Sequence, residues 1–153
     1  MQNEFENYKN FNKFKGLNIL SIDYGTKVTG LACYCPGREP FPQARGKVIY
    51  QSDEQLIKEL TFIVEEDFVE ILVLGIPYYL DGNESEMTKR VRAFQDKLKA
   101  QFPNIDIYEQ DETLSSTAAE ERMMNSPQFN FKVDPKRIDE VAATIILEDF
   151  MRN

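Results

Sequence analysis

The chain has 153 residues and a formal net charge of −8, and hydrophobic residues make up 42% of it. This length suits one domain with its own core, and the composition is that of an ordinary globular protein. The chain contains no histidine, which excludes serine–histidine and cysteine–histidine catalysis as well as histidine-bound zinc. No apolar run is long enough to cross a bilayer and the start lacks a secretory signal, so we expect a cytoplasmic protein with no membrane partner.

The first 16 residues are polar with scattered aromatic side chains, and we predict an N-terminal extension followed by one domain over residues 17–153. That domain begins with an almost continuous apolar run, residues 17–22, which ends at Asp23 and turns at Gly25. Such a run predicts a strand buried on both faces of a sheet. Asp23 then lies at the carboxyl end of the strand, where open α/β sheets place their chemistry. The alternative for this acid is an ordinary turn residue.

The remaining predicted elements alternate along the chain. Further strands are predicted at residues 28–34, 47–51, 70–77 and 105–110. Helix starts are predicted at residues whose side chains commonly cap helices, namely Ser52, Asn83, Ser115 and Asp134. The order β-β-β-α-β-α-β-α-α begins with a hairpin and then alternates. It predicts an α/β fold in which a mixed sheet carries helices on both faces.

Candidate acidic residues lie in or directly after three of these elements. Asp23 ends the first strand, and Asp139 lies in the second turn of the last helix, beside its apolar stripe. Asp111 and Glu112 follow the fifth strand, where alternation sends them to opposite faces, so we expect only one of them in a shared site. Converging carboxylates repel unless cations neutralise them, and oxygen ligands favour Mg²⁺ or Mn²⁺. The pattern leaves two interpretations open. The acids form a metal site, or they are unrelated residues that lie in a turn, in solvent and near the start of a helix.

Four sequence blocks occur in a characteristic order. Residues 21–32 contain D-x-G-x-K-x-x-G-x-A, and residues 73–82 contain V-L-G-I-P followed by D-G. Residues 111–116 read D-E-T-L-S-S, and residues 139–147 read D-x-x-A-A-x-x-I-L. Together these blocks resemble the YqgF (RuvX) family of RuvC-like nucleases. Thr113 departs from the family pattern, which usually has arginine at that position.

The resemblance implies a ribonuclease H-like fold with a five-stranded sheet in the order 3-2-1-4-5. It implies a nuclease that trims the 5′ end of precursor 16S rRNA in ribosome biogenesis. It also carries a link to Holliday-junction resolution, which would make branched DNA a substrate. Asp23, Glu112 and Asp139 would hold two Mg²⁺ or Mn²⁺ ions, with Asp111 as support or substitute. Lys27 would meet a phosphate.

Two kinds of residue are candidates for contacts with the substrate backbone. Gly25 and Gly75 lack side chains, so phosphates can approach the main chain closely there. Basic side chains on two helices are the other candidates, namely Lys89, Arg90, Arg92, Lys136 and Arg137. The alternative is that these side chains only form solvated helix faces.

Two further classes of protein compete with a nuclease. The opening from Asp23 to Thr26 also resembles the first phosphate loop of the actin, Hsp70 and sugar-kinase group, but this chain is too short for the two domains of that fold. The other is a ribonuclease H-like scaffold that binds RNA or a ribosome-assembly factor without cleavage. The net acidity and Thr113 favour the scaffold, whereas the presence of every candidate acid favours the nuclease.

Overall fold

A computed structural model describes residues 3–153 and contains one five-stranded sheet. The strands are β1 (Ile19–Asp23), β2 (Val28–Tyr34), β3 (Gln43–Ile49), β4 (Ile71–Ile76) and β5 (Asp106–Asp111). The helices are α1 (Lys9–Lys13), α2 (Asp53–Glu66), α3 (Glu86–Gln101), α4 (Ser115–Met124) and α5 (Ile138–Met151). A short 3₁₀ turn, Pro127–Phe129, links the last two helices.

The strands lie in the order β3-β2-β1-β4-β5, which confirms the predicted sheet. β2 is antiparallel to β1 and β3, whereas β4 is parallel to both β1 and β5. The carboxyl ends of the three parallel strands therefore meet at one edge of the sheet. The acids predicted from the sequence follow β1 and β5, at that edge.

Helices cover both faces of the sheet, as the sequence predicted. α2 and α3 pack on one face, where Leu20, Ile22 and Leu72 are fully buried among their apolar side chains. α5 and α1 pack on the other face, against Ile19 and Val73. Successive apolar side chains of the central strands point to opposite faces, so the sheet contributes to two separate hydrophobic cores.

Helix α5 contacts all five strands on its face of the sheet. The Ser21 hydroxyl donates a hydrogen bond to the Ala143 carbonyl oxygen at 2.8 Å, with both residues fully buried. Small residues at this crossing let the helix lie close to the strands. The contacts in order along the helix are Asp139 with Gly30, Ala143 with Ser21, Ile146 with Gly75, and Phe150 with Tyr108.

Residues 3–16 pack against the far end of α5. Phe5, Phe11 and Phe14 are at most 4% exposed in the core on that side of the sheet. Phe14 contacts the Phe150 ring at a centroid distance of 5.5 Å. The Asn10 side-chain amide donates to the Phe150 carbonyl oxygen at 2.8 Å, which satisfies one of the carbonyl groups left open at the end of a helix.

Two predicted helix starts are wrong. α3 begins after Ser85 rather than Asn83, because Ser85 and Thr88 form a complete capping box. α5 begins at Ile138 rather than after Asp134, because the Asp134 carboxylate accepts from the Lys136 N–H and closes a separate turn before the helix. Asp139 is therefore in the first turn of α5.

Strand β3 begins four residues earlier than predicted, at Gln43. The pairing of β2 with β3 shifts at a β-bulge, so the strand lacks the regular alternation on which the prediction depends. Among the helices in residues 3–153, none combines the length and the hydropathy that crossing a membrane requires.

Candidate active site

The site is centred on Asp23, the last residue of β1. Asp23 lies two residues after Ser21, so its side chain is on the same face of the sheet, the one that α5 covers. The Asp23 and Glu112 carboxyl groups are close enough to share a hydrogen bond. Two acids from strands that are not neighbours thus meet over the end of β4.

Glu112 reaches Asp23 across a glycine. Its backbone N–H donates to the Ile76 carbonyl oxygen at 3.0 Å, which continues the β4–β5 pairing past the end of β5. A Cβ atom on Gly75 would lie 3.1 Å from Glu112 Cδ and 2.7 Å from Ile146 Cδ1. Gly75 therefore leaves the space that the Glu112 side chain occupies. The Ser115 hydroxyl, at the start of α4, donates weakly to Glu112 Oε2 at 3.4 Å.

Asp139 reaches the site through a second glycine. Gly30 pairs with Asp23 in the β1–β2 hairpin and lies directly beneath the first turn of α5. A Cβ atom on Gly30 would lie 1.9 Å from the Asp139 carbonyl oxygen, which no side chain permits. Only glycine at this position lets the first turn of α5 lie so close to β2, and from there the Asp139 charge reaches Asp23.

The three acids have raised pKa values. Burial raises the pKa of Asp23 to about 6; the hydrogen bond with Glu112 opposes the rise and the Asp139 charge adds to it. Burial also raises the pKa of Glu112, and the negative charge of Asp23 is the next cause. Burial raises the pKa of Asp139, whereas the Lys47 ammonium lowers it. The Asp23–Glu112 pair therefore retains a proton at pH values where isolated carboxylic acids have lost theirs.

These donors fit a hard divalent cation. The side chains that converge are carboxylates alone, the ligands that Mg²⁺ and Mn²⁺ prefer. Within residues 3–153, no group of three acidic or cysteine side chains is already arranged around one point as metal ligands. Burial and mutual repulsion raise the pKa values of Asp23 and Glu112, and a bound cation would oppose both effects by neutralising the two charges.

Glu112, and not Asp111, is the acid that faces Asp23. Asp111 is exposed, and its carboxylate accepts a hydrogen bond from the Thr113 N–H at 2.8 Å and one from the Thr113 hydroxyl. The sequence left this choice open. Thr113, which stands in place of the family's arginine, is committed to this turn.

A groove of about 620 Å³ lies beside Glu112 and is lined by residues of α4, of α5 and of the segment after β4. Its floor includes Glu112, and its walls carry Tyr79, Leu80 and Leu114, which are 57%, 83% and 61% exposed. Large apolar side chains are seldom left in water without a function when they cluster. Such a groove can hold an extended chain with flat, partly apolar groups.

Of the residues predicted to contact phosphates, Lys27 is accessible to a substrate, whereas Gly25 is enclosed in the turn. Lys27 is exposed on the β1–β2 turn, close in sequence to Asp23. The Gly25 N–H points at the Thr29 hydroxyl at 3.3 Å, and a Cβ on Gly25 would lie 2.1 Å from the Val28 carbonyl oxygen. Gly25 therefore allows the tight turn to form, and Gly75 leaves room for the Glu112 side chain.

The predicted basic side chains on α3 are mostly engaged within the protein. Arg92 forms salt bridges with Glu84 and Glu109, at 3.2 and 3.0 Å. Arg90 donates to the Tyr24 and Tyr50 hydroxyls, both at 3.2 Å. These contacts hold α3 to the sheet and reduce the charge available to a substrate.

Of the other predicted basic residues, two form salt bridges and one is exposed. Lys89 pairs with Glu86 at 3.3 Å on the exposed surface, and Arg137 pairs with Glu140 at 2.8 Å. Lys136 is exposed in the segment that precedes α5. Sequence reasoning missed Lys47, which lies near Asp139, because only the bulge in β3 determines which face its side chain takes.

Several solved structures share the fold of this chain. RuvC of Thermus thermophilus in complex with a Holliday junction substrate aligns with a TM-score of 0.58 over 89% of this chain and 95% of its own, at 9% sequence identity. The yeast mitochondrial Holliday junction resolvase aligns with a TM-score of 0.56 over 91% of this chain and 79% of its own, also at 9% identity. These likenesses confirm the predicted ribonuclease H-like fold.

The family follows from sequence. Residues 17–153 match the family model described as "RuvX: Holliday junction resolvase", and the chain belongs to that family. A relative from Maridesulfovibrio salexigens is 36% identical over 88% of this chain and 98% of its own length. One from Porphyromonas gingivalis is 35% identical over 88% and 96%. Both relatives carry the name "putative pre-16S rRNA nuclease".

Proposed function

We propose that this protein is a nuclease that hydrolyses phosphodiester bonds in the 5′ extension of precursor 16S rRNA. The observation that carries the proposal is the meeting of the Asp23 and Glu112 carboxyl groups over Gly75, in a chain of the RuvX family. The names of the two relatives supply the substrate. A buried pair of acids with raised pKa values lowers the stability of the fold. Such a pair is typical of a site for chemistry rather than of a contact that supports folding.

We assign Asp23, Glu112 and Asp139 as the residues that would hold Mg²⁺ or Mn²⁺, most simply as two ions. The chemistry supplied by bound cations of this kind is Lewis-acid stabilisation of the charge that develops on the phosphate oxygens. Asp139 is near enough to raise the pKa of Asp23. Its carboxylate would be the third ligand when the acids have lost their protons.

Residues around the acids orient the substrate and the ligands. Asp111 fixes the turn through Thr113, so that Glu112 points inward. Lys27 neutralises a phosphate at the β1–β2 turn. The groove beside Glu112 takes the strand, with bases against the exposed Tyr79 and Leu114, because aromatic and apolar surfaces hold bases without reading their sequence.

The test is incubation of the purified protein with a 5′-extended precursor 16S rRNA fragment and Mg²⁺ or Mn²⁺, beside an Asp23→Asn variant. Asp23→Asn keeps the size of the side chain and removes its charge. Metal-dependent shortening of the RNA by the wild type alone supports the proposal. RNA binding without cleavage by either protein contradicts it and favours the scaffold, with a ribosome-assembly factor as its partner.

A second substrate is favoured by the description of the family as Holliday junction resolvases. The same acids can hydrolyse a DNA phosphodiester, since the reaction at phosphorus is the same. The assay therefore includes a four-way DNA junction beside the RNA. Cleavage of the junction at a higher kcat/KM than the RNA would assign the site to branched DNA.

A further inference from the structure

A β-bulge determines the direction of the Lys47 side chain. The pairing of β3 with β2 skips one residue, so that Arg45 is an extra residue between Ala44 and Gly46. Gly46 has φ +94°, a backbone conformation that glycine adopts without strain. One extra residue inverts the alternation of side chains beyond it. Lys47 consequently lies on the face covered by α5, whereas an unbroken strand would turn it to the opposite face.

Lys47 lies in one row with Asp23. Gly30 pairs with Asp23 on one side and with Lys47 on the other, so the three residues share one face of the sheet. Asp139 rests on Gly30, in the middle of this row. The Lys47 ammonium is close enough to lower the pKa of Asp139. Lys47 thus flanks the acids on the β3 side, opposite Glu112.

The Lys47 side chain is exposed, and within residues 3–153 it forms no salt bridge as close as 4 Å. Its hydrogen bond goes to a neutral group, the Lys136 carbonyl oxygen, at 2.5 Å. The salt bridges formed within residues 3–153 use other cations, such as Arg92 with its two acids. A cation kept open beside three carboxylates suits an anionic ligand that those carboxylates alone would repel.

The segment that precedes α5 meets this surface at Lys136, whose carbonyl oxygen accepts the hydrogen bond from Lys47. Asn130 and Phe131 have φ 55° and 57°, in the left-handed region, which is costly for a bulky residue. The Phe131 side chain is nevertheless 61% exposed. Lys132 and Lys136 are exposed nearby in the sequence. An exposed aromatic ring close in sequence to exposed lysines is common in segments that bind single-stranded nucleic acid.

We propose that Lys47 binds the backbone phosphate next to the one that is cleaved, on the β3 side of the acids. The ligand is the phosphodiester backbone of a single nucleic-acid strand, which leaves the site across β2 and β3 towards Lys136. This inference rests on the proposed nuclease function and adds one substrate contact to the same site. Lys47 is a binding residue in this scheme, and the three acids carry the hydrolysis.

The experiment compares the full-length wild type with Lys47→Gln, Lys47→Arg and a matched control, Lys58→Gln. Lys58 is also an exposed lysine, but it lies on α2, on the other face of the sheet. Cleavage of the 5′-extended RNA gives kcat and KM. Binding of the same RNA without divalent metal, over a fourfold range of KCl concentration, gives the salt dependence of the affinity.

Loss of one phosphate contact reduces the slope of log affinity against log salt by about 0.7 to 0.9, or about 3-fold in affinity over a fourfold salt range. We expect this change for Lys47→Gln, together with a raised KM, and neither for Lys47→Arg nor for Lys58→Gln. A lysine that only anchors the segment before α5 would leave the slope unchanged.

The outcomes separate this inference from the proposed function. If the wild type cleaves RNA and Lys47→Gln matches Lys58→Gln in KM and in slope, the phosphate contact is overturned and the nuclease stands. If the wild type binds RNA without cleaving it and Lys47→Gln still reduces the slope, the contact stands and the nuclease is overturned. If the wild type neither binds nor cleaves RNA, both are overturned.

Discussion

The carbonyl oxygen of Asp139 lies where the side chain of any residue other than glycine at position 30 would begin, at 1.9 Å from an added Cβ atom. The atoms in the way belong to the helix backbone and cannot rotate aside. One glycine of the sheet therefore fixes the position of the helix that carries the third acid.

We expect Gly30→Ala to lower the free energy of unfolding by about 1–3 kcal/mol, the usual cost of overpacking, and to abolish cleavage by displacing Asp139. Chemical denaturation and the RNA assay measure the two effects. Ala32→Gly is the control, since it changes the same strand on the same face by the opposite step. A Gly30→Ala protein with full activity would contradict this description of the helix contact.

Gly75→Ala should behave differently, because the atoms that an added methyl group meets are the ends of flexible side chains, Ile146 Cδ1 and Glu112 Cδ. These side chains can give way, so we expect a loss of at most about 1–2 kcal/mol in unfolding free energy. We expect weaker Mn²⁺ binding, since the Glu112 carboxyl is pushed away from Asp23. Isothermal titration with Mn²⁺ measures this. Unchanged affinity for Mn²⁺ would show that Glu112 is not a ligand.

Glu112→Gln and Asp111→Asn should separate the two neighbouring acids. Groups that only support a metal ligand cost about 10–100-fold on removal, and a ligand itself costs more. We expect Glu112→Gln to reduce kcat by more than 100-fold. Asp111→Asn should have less than a 10-fold effect, because asparagine retains the oxygen that accepts from the Thr113 N–H. Equal losses in the two variants would mean that both carboxylates enter the site.

The raised pKa values predict that the metal-free protein becomes less stable as pH rises. Asp23 has an ordinary pKa near 4 when unfolded and about 6 when folded. Between these values the folded state binds more protons than the unfolded state, so the free energy of unfolding falls with rising pH. The raised pKa of Glu112 extends the fall to higher pH.

Thermal unfolding without metal, from pH 4.5 to 8, measures this dependence. The double variant Asp23→Asn with Glu112→Gln should show a flatter profile, because its amides do not titrate. Mn²⁺ should raise the melting temperature of the wild type most at high pH, where the carboxylates are ionised. A wild-type melting temperature that increases across the same range would refute the raised values.

The segment before the family match should contribute to stability. Phe14 is 2% exposed and packs on Phe150 and Tyr108, so Phe14→Ala should cost about 3–5 kcal/mol. Tyr8 is 38% exposed, and Tyr8→Ala serves as the control with a cost within about 0.5 kcal/mol. Urea denaturation distinguishes the two. Equal, small costs would mean that residues 3–16 do not belong to the cooperative core.

The sequence predicted the sheet, because buried apolar strands are local patterns, and the four motif blocks named the acids that the structure places at its carboxyl edge and in the first turn of α5. It did not predict which of Asp111 and Glu112 faces Asp23, because that depends on how the turn at Thr113 closes. The start of α5 was also wrong, because Asp134 is a good helix cap by type but closes a separate turn instead.

The roles of the glycines and of Lys47 required the register of the sheet. Gly75 was predicted as a place where a phosphate approaches the main chain, whereas the structure places the Glu112 side chain there, and helix α5 lies against Gly30. Lys47 carried no signal, because the skip at Arg45 that turns it towards the acids appears only when β3 is paired with β2.

The bulge in β3 also has a consequence for solubility. β3 is an edge strand, and its outer row of unpaired N–H and C=O groups is a template on which another molecule could add a strand. The bulge interrupts and twists that row, and it sends the charges of Arg45 and Lys47 to opposite faces of the edge. Deletion of Arg45 would straighten β3, bury a positive charge against α2 and leave an edge open to aggregation.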